Sequence, residues 1–110
     1  MKLINKSKNK TIADNIIIAD LISKRVKGLL GETSPRSLYL KTRWGIHTFG
    51  MRFPLDVLIL DKNWSVRKIK KGLKPYSLFF WNPKYFRVIE ISEGSASLSD
   101  AEVGDILALE

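Results

Sequence analysis

The segment PLDVLILD, residues 54–61, constrains the fold more than any other part of the chain. Leu55 and Ile59 would point to one face of a strand, while Leu58 and Leu60 would point to the other. The run is too short for a stable helix, and a strand that is apolar on both faces needs protein on each side. The sequence therefore predicts a central strand that contains one acidic residue.

Other short runs are alternating or rich in β-branched residues, and Gly, Pro or Asn bound them, which is typical of strands. Residues 1–20 are predicted to form two extended pieces around a turn at 5–10, with a buried strand at 16–19. The segment 62–65 is the expected turn after the central strand, and the lysine-rich run that follows it suits an exposed or edge strand. Strands are predicted at 37–41, 54–61, 66–73, 86–92 and 104–110.

One segment has helical spacing. In DLISKRVKGLLGE the apolar residues Ile22, Val26 and Leu29 fall on one helical face, and Gly31 is placed to end the helix. The chain is therefore predicted to be one domain, residues 1–110, of the α+β class but mainly β. Its expected architecture is a curled or barrel-like sheet of about six to eight short strands with one short helix at about 21–31.

Composition removes several classes of site and suggests a kind of partner. The chain has no cysteine, so disulfides, thiolate zinc sites and cysteine nucleophiles are excluded, and no cofactor is expected. No signal peptide or membrane-spanning run is visible, so a cytoplasmic protein is expected. The net charge of +8 is concentrated before residue 28 and between 62 and 74, while the C-terminal part is acidic. This asymmetry indicates an anionic ligand or nucleic acid as partner, although solvated lysines would explain it too. The oligomeric state is left open.

Four motifs, in order along the chain, resemble the domain-of-unknown-function 192 family. They are IADLISKRVKGLLG, IHTFGMRFPLDVLILD, VIEISEGSA and VGDIL. The resemblance implies a small α+β fold dominated by strands, and it implies no established activity. One departure stands in the turn after the central strand, where family members usually have Gly and this chain has Trp64. Asn63 is expected to take over the left-handed backbone conformation there.

The only histidine, His47, precedes Asp56 by nine residues, and Glu90 repeats the pattern of an acid among apolar residues. One histidine and no cysteine do not make a zinc site, so no metal site is predicted. His47 is expected to bond backbone at a strand end, with Met51 filling the core. Asp56 either ties down the preceding loop, with Arg52 or Arg43 as counter-ion, or lines a pocket. If Asp56 and Glu90 share a cleft, they could do acid–base work or hold a divalent cation, whereas two separately satisfied carboxylates are the alternative.

A second candidate site combines lysines with aromatic residues. Lysines attract phosphates and aromatic rings stack on bases, a mixture that suits single-stranded nucleic acid or an anionic membrane surface. The alternative is that the aromatic residues only close one end of the sheet. The residues are Lys68, Lys70, Lys71, Lys74, Tyr76, Phe79, Phe80 and Trp81.

Two functions follow from these sites. The first is a non-catalytic binding or accessory domain with a pocket beside the 46–56 loop, shaped by His47, Met51, Arg52 and Asp56. The second is a small hydrolase-like enzyme that uses His47 with Asp56 or Glu90. The charge distribution favours the first.

Overall fold

The computed structural model describes residues 1–19, 37–48, 51, 53–92 and 101–110. Ten strands lie in this part of the chain. They are β1 (Leu3–Asn5), β2 (Lys10–Ala13), β3 (Ile16–Ala19), β4 (Ser37–Lys41), β5 (Gly45–His47), β6 (Leu55–Leu60), β7 (Val66–Leu73), β8 (Leu78–Phe80), β9 (Arg87–Ser92) and β10 (Leu107–Leu109).

The strands form three sheets. The largest has the order β3-β4-β9-β6-β7, in which β3 and β4 are parallel and the other pairs are antiparallel. A three-stranded sheet has the order β10-β1-β2, and β5 pairs with β8 in a two-stranded ribbon. The five-stranded sheet places β6 between two neighbours and leaves β7 at an edge, as the sequence predicted.

Two hydrophobic clusters make the five-stranded sheet the middle of three layers. On one face, Leu58 and Ile89 pack with Leu3 and Leu107 of the three-stranded sheet. On the other face, Val57 packs with residues of the ribbon, such as Phe79. This arrangement explains why apolar residues occupy consecutive positions of β6, and it confirms the prediction that protein lies on both sides of that strand.

The predicted architecture needs three corrections. The described strands number ten rather than about six to eight, because β5 and β8 were not predicted and residues 1–19 contain three short strands instead of two extended pieces. The strands are divided among three layered sheets, so the expected curled or barrel-like sheet is wrong. The mainly β character is confirmed. The helix predicted at about 21–31 lies outside the described residues, and no helix occurs within them.

The turn between β6 and β7 also differs from the expectation. Trp64 itself has the left-handed backbone conformation, with φ of 65°, whereas Asn63 is not among the residues with positive φ. The Trp64 ring stacks on Tyr39 at 5.1 Å between centroids, and the Arg87 guanidinium lies 4.7 Å from its centroid. These contacts offset the strain that a bulky side chain meets in this conformation.

In the described part of the chain, no helix has the length and apolar character needed to cross a membrane.

Candidate nucleic-acid interface

The β5–β8 ribbon has one face in the core and one face outside. Ile46 pairs with Phe79, and both are buried in the cluster that the ribbon shares with the five-stranded sheet. Their neighbours Leu78 and Phe80 point the other way, because successive strand residues alternate. Leu78 is 57% exposed and Phe80 is 63% exposed. The ribbon therefore presents apolar side chains to solvent that its own core does not use.

Gly45 lets Phe80 lie flat against the ribbon. A Cβ atom at Gly45 would come within 2.5 Å of Phe80 Cδ1 and 2.7 Å of the Phe79 carbonyl oxygen. Because a backbone atom is among these contacts, the conflict could not be relieved by rotating one side chain. The absence of a side chain at Gly45 thus decides where the Phe80 ring rests.

Two aromatic residues flank the ribbon in a strained backbone conformation. Trp44, before β5, has φ of 76° and is 67% exposed, and Tyr76, before β8, has φ of 58° and is 71% exposed. The left-handed region is unusual for bulky side chains, and such strain concentrates at binding and catalytic sites. The ribbon thus carries exposed aromatic side chains at both ends.

A buried hydroxyl holds the turn that carries Tyr76. Thr48 is fully buried, and its Oγ1 donates to the Lys74 carbonyl oxygen at 2.6 Å and accepts from the Ser77 N–H at 2.8 Å. The Tyr76 N–H donates to the Thr48 carbonyl oxygen at 3.0 Å. One residue at the end of β5 therefore determines the path of residues 74–77, and with it the positions of Lys74 and Tyr76.

Lysines of the edge strand β7 lie beside this turn. A surface groove of about 500 Å³ is lined by Lys68, Lys70, Gly72, Leu73, Lys74, Ser77, Leu78 and Phe79. The Lys68 ammonium lies 5.1 Å from the Phe79 ring centroid. Lys68, Lys70, Lys74 and Leu78 are the exposed side chains of this groove, and Tyr76 and Phe80 are exposed on the adjoining turn and strand. We call these six residues the basic–aromatic surface.

This surface has an excess of positive charge, and the carboxylate next to it, Asp56, bonds to the backbone N–H of Gly72. From residue 62 to residue 89 the chain has no Asp or Glu, and its basic residues are Lys62, Arg67, Lys68, Lys70, Lys71, Lys74, Lys84 and Arg87. Arg67 pairs with Asp61 at 2.8 Å. Within the described residues no such pair forms for Lys68, Lys70 or Lys74, so their charge is available to an anion.

The predicted residues of the 46–56 loop fall in different environments. Met51 is 4% exposed and belongs to the core, as expected from its sequence context. Arg52 lies outside the described residues. His47 is half-buried on β5 and pairs across the ribbon with Leu78, so it borders the basic–aromatic surface.

Asp56 and Glu90 do not share a cleft. Glu90 pairs across β6 and β9 with Val57 and projects from the same face of the sheet as Val57. Asp56 is the neighbour of Val57 along β6, so it projects from the opposite face. At most one of them can therefore face His47. Glu90 is fully buried, whereas Asp56 is half-buried. Among the described residues, no cluster of three His, Asp or Glu side chains suits a metal ion.

The Asp56 carboxylate joins β6 to β7 at a bulge. Lys71 and Gly72 together oppose the single residue Asp56, since Leu55 pairs with Leu73 and Val57 with Lys70. Asp56 Oδ1 accepts the Gly72 N–H at 2.8 Å, and Gly72 has φ of 65°. The sequence left Asp56 with two alternatives, tying down the preceding loop or lining a pocket, and did not indicate the bulge that its hydrogen bond stabilises.

The aromatic residues predicted for the site divide by alternation. Trp81 is 7% exposed, and its indole N–H donates to the Tyr85 carbonyl oxygen at 2.7 Å, so it is a core residue rather than a stacking platform. Tyr76 and Phe80 are exposed. Trp44, Leu78 and the anchoring Thr48 were missed. The run LFFW is apolar throughout, so the sequence did not show which of its residues face solvent, and no local pattern links Thr48 to residues 26 to 29 positions away.

Comparison with known proteins agrees with this fold. The family model DUF192, described as an uncharacterized ACR, matches residues 3–109. The chain belongs to the DUF192 family. A UPF0127 protein of Thermococcus sibiricus is 31% identical over 94% of this chain and 71% of its own length. UPF0127 protein PH1112 of Pyrococcus horikoshii is also 31% identical, over 94% of both chains.

Two crystal structures show the same fold in more distant proteins. A candidate transcription regulator from Sinorhizobium meliloti superimposes with a TM-score of 0.79, at 20% identity, over 97% of this DUF192 chain and 89% of its own. A protein of unknown function from Novosphingobium aromaticivorans gives a TM-score of 0.78, at 17% identity, over 98% and 82% of the two chains. At these identities the likeness concerns the fold alone.

Proposed function

We propose that this DUF192 protein is a non-catalytic binding domain that takes up single-stranded nucleic acid on its basic–aromatic surface. The observation that carries the proposal is a groove lined by Lys68, Lys70 and Lys74, none of which has an acidic partner among the described residues, with the exposed side chains of Tyr76 and Phe80 on the adjoining turn and strand. Lysines neutralise phosphates and aromatic rings stack on unpaired bases.

The spacing of the apolar side chains supports a strand of bases rather than a duplex. Leu78 and Phe80 are two residues apart on one face of β8, whereas Tyr76 stands in the turn before that strand. Side chains at that spacing follow each other at about 6.6 Å, a distance that lets separate, unstacked bases rest on them. The buried Thr48 keeps the preceding turn in place, so the site is formed before the ligand arrives.

The test is fluorescence anisotropy with a labelled oligothymidylate. If about three lysines neutralise phosphates of the oligonucleotide, the logarithm of the association constant falls with the logarithm of the salt concentration at a slope of about −2. This slope is an affinity loss of about 20-fold between about 50 and 200 mM salt. The Lys68→Glu/Lys70→Glu variant should weaken binding strongly and flatten the slope. The Lys10→Glu/Lys41→Glu variant changes the net charge equally on exposed residues outside the groove, and should change binding little.

The aromatic part of the proposal has its own test. Phe80→Ala should weaken binding by about 1–3 kcal/mol if one base stacks on this ring, with a salt slope that stays unchanged. Three results would contradict the proposal: salt-independent binding, an equal loss in the control variant, or binding of anionic phospholipid vesicles without binding of the oligonucleotide.

A further inference from the structure

A second basic pocket lies at the other end of β7. It has a volume of about 470 Å³ and is lined by Arg43, Asp61, Lys62, Asn63, Arg67, Lys84, Tyr85 and Phe86. None of these residues lines the groove of the basic–aromatic surface. We refer to it as the Arg43 pocket.

The Arg43 pocket has an excess of positive charge. Four of the residues that line it are cationic, and the single carboxylate, Asp61, is already paired with Arg67 at 2.8 Å. Burial alone would raise the pKa of Asp61, but hydrogen bonds from Arg67, Ser65 and Asn63 outweigh it and hold that pKa below its ordinary value. Asp61 is therefore a fixed anion that orients Arg67, and Arg43, Lys62 and Lys84 remain without an ion-pair partner among the described residues.

Aromatic rings fix the guanidinium groups of the pocket. The Arg43 guanidinium lies 5.0 Å from the Phe86 ring centroid and donates to the Pro83 carbonyl oxygen at 2.7 Å. The Arg67 guanidinium lies 5.6 Å from the Tyr85 ring centroid. A guanidinium has five N–H donors. Arg43 uses one of them for Pro83 and Arg67 uses one for Asp61, so both retain donors for a ligand. Groups held in this way lose little freedom when they bind an anion.

The surrounding backbone is tied together as well. The Tyr85 N–H donates to the Asn82 carbonyl oxygen at 3.0 Å, and the Thr42 N–H donates to the Phe86 carbonyl oxygen at 3.0 Å. The Asn63 N–H donates to Asp61 Oδ1 at 2.9 Å on the opposite wall. Three chain segments that are distant in sequence thus meet in one concavity whose walls do not need to be ordered by a ligand.

We propose that the Arg43 pocket binds the phosphate group of a small molecule. A phosphate monoester carries about two negative charges and three strong acceptor oxygens, which match several convergent cations better than a single carboxylate does. The chemistry of this site is shared by inorganic phosphate, sugar phosphates and nucleotides. The proposal does not depend on nucleic-acid binding at the basic–aromatic surface.

The experiment is a titration of the full-length, ¹⁵N-labelled protein with inorganic phosphate, ribose 5-phosphate and adenosine monophosphate, at ionic strength held constant with sodium chloride. Saturable shifts of the amide signals of Asn63, Tyr85 and Phe86 are expected. Equal affinity for the three ligands would show that the phosphate alone is recognised. Tighter binding of adenosine monophosphate than of ribose 5-phosphate would show that the base is recognised too.

Variants test the assignment to the pocket. Lys62→Ala/Lys84→Ala removes two exposed side chains and should weaken phosphate binding about tenfold, at an unchanged thermal midpoint. The matched Lys2→Ala/Lys10→Ala variant, on exposed residues of the N-terminal segment, and the groove variant Lys68→Glu/Lys70→Glu should each change phosphate affinity by no more than about twofold. The proposal is overturned by non-saturable shifts, by shifts centred on residues 68–74, or by an equal loss in the matched variant.

Discussion

The neighbouring strands β6 and β7 show how one sheet separates stability from binding. In β6, Leu55, Val57, Leu58, Ile59 and Leu60 have no exposed surface, because β9 and β7 flank the strand and other layers cover both faces. In β7, only Val66 and Leu73 at the ends are buried, and the residues between them include three lysines and one arginine. Position in the sheet, more than strand propensity, decides which strand can carry charge.

The largest effect expected from this comparison is a loss of stability in β6. Leu58→Ala should lower the free energy of unfolding by about 2–5 kcal/mol, since it leaves a cavity in a fully buried cluster. In β7, Lys70→Ala should change it by no more than about 0.5 kcal/mol. Urea denaturation measures both. Equal effects of the two substitutions would mean that the strands do not differ as described.

A smaller effect is expected where the end of β7 meets the ribbon. Thr48→Val keeps the shape of the side chain but removes the hydroxyl that bonds to Lys74 and Ser77. The buried backbone groups left unpaired should lower the free energy of unfolding by about 1–3 kcal/mol. Thr48→Ser retains the hydroxyl and serves as control. If valine were tolerated as well as serine, the buried hydroxyl would not be what holds this turn.

The turn between the two strands offers a test of strain against packing. Trp64→Gly relieves the left-handed conformation, worth roughly 1 kcal/mol, but removes the ring between Tyr39 and Arg87. Loss of the ring should dominate and lower the free energy of unfolding by about 1–2 kcal/mol, which urea denaturation measures. A more stable glycine variant would show that packing does not offset the strain.

At the bulge between β6 and β7, Gly72→Ala should lower the free energy of unfolding by about 1 kcal/mol. The cause is the φ of 65° alone, because a Cβ atom there would meet nothing within 4 Å. Asp56→Ala should have an effect of similar size, about 0.5–1.5 kcal/mol, through the lost bond to the Gly72 N–H. The double variant should be less destabilised than the sum, since both changes act on one bulge. If the losses of free energy of unfolding added up, Gly72 and Asp56 would act independently, which would contradict a shared role in the bulge.

The smallest expected effect is the contribution of Asp61 to the dependence of stability on pH. The pKa of Asp61 is lower in the folded protein than its ordinary value of 3.8, so its ionised form stabilises the fold above about pH 4, and this contribution is lost as the pH falls further. Thermal midpoints measured from pH 6 to pH 2 should therefore fall less steeply for Asp61→Asn than for the unchanged chain. Parallel curves would mean that Asp61 does not gain stability from its hydrogen bonds to Arg67, Ser65 and Asn63.

Much of the strand pattern could be predicted, whereas the site could be predicted only in part. The predicted strands at 16–19, 37–41 and 66–73 coincide with β3, β4 and β7. The strand at 16–19 was expected to be buried, but Ile17 and Ile18 are exposed. The basic and aromatic composition of the candidate surface was visible too. Trp81 was assigned to binding but is buried. Trp81 and Phe80 are both aromatic and adjacent, so only the direction in which each side chain points in the folded chain distinguishes them.

The sequence by itself determined where most strands lie and that β6 is covered on both faces, because alternating and continuous runs of apolar residues are local properties of the chain. Only the tertiary structure decided which lysines share a groove with Phe79, that Thr48 anchors residues 74–77, and that Asp56 and Glu90 project from opposite sides of the sheet. These features depend on the register between strands that are distant in sequence. Such a register is set by the packing of whole layers, and a shift of one residue reverses every side chain of a strand.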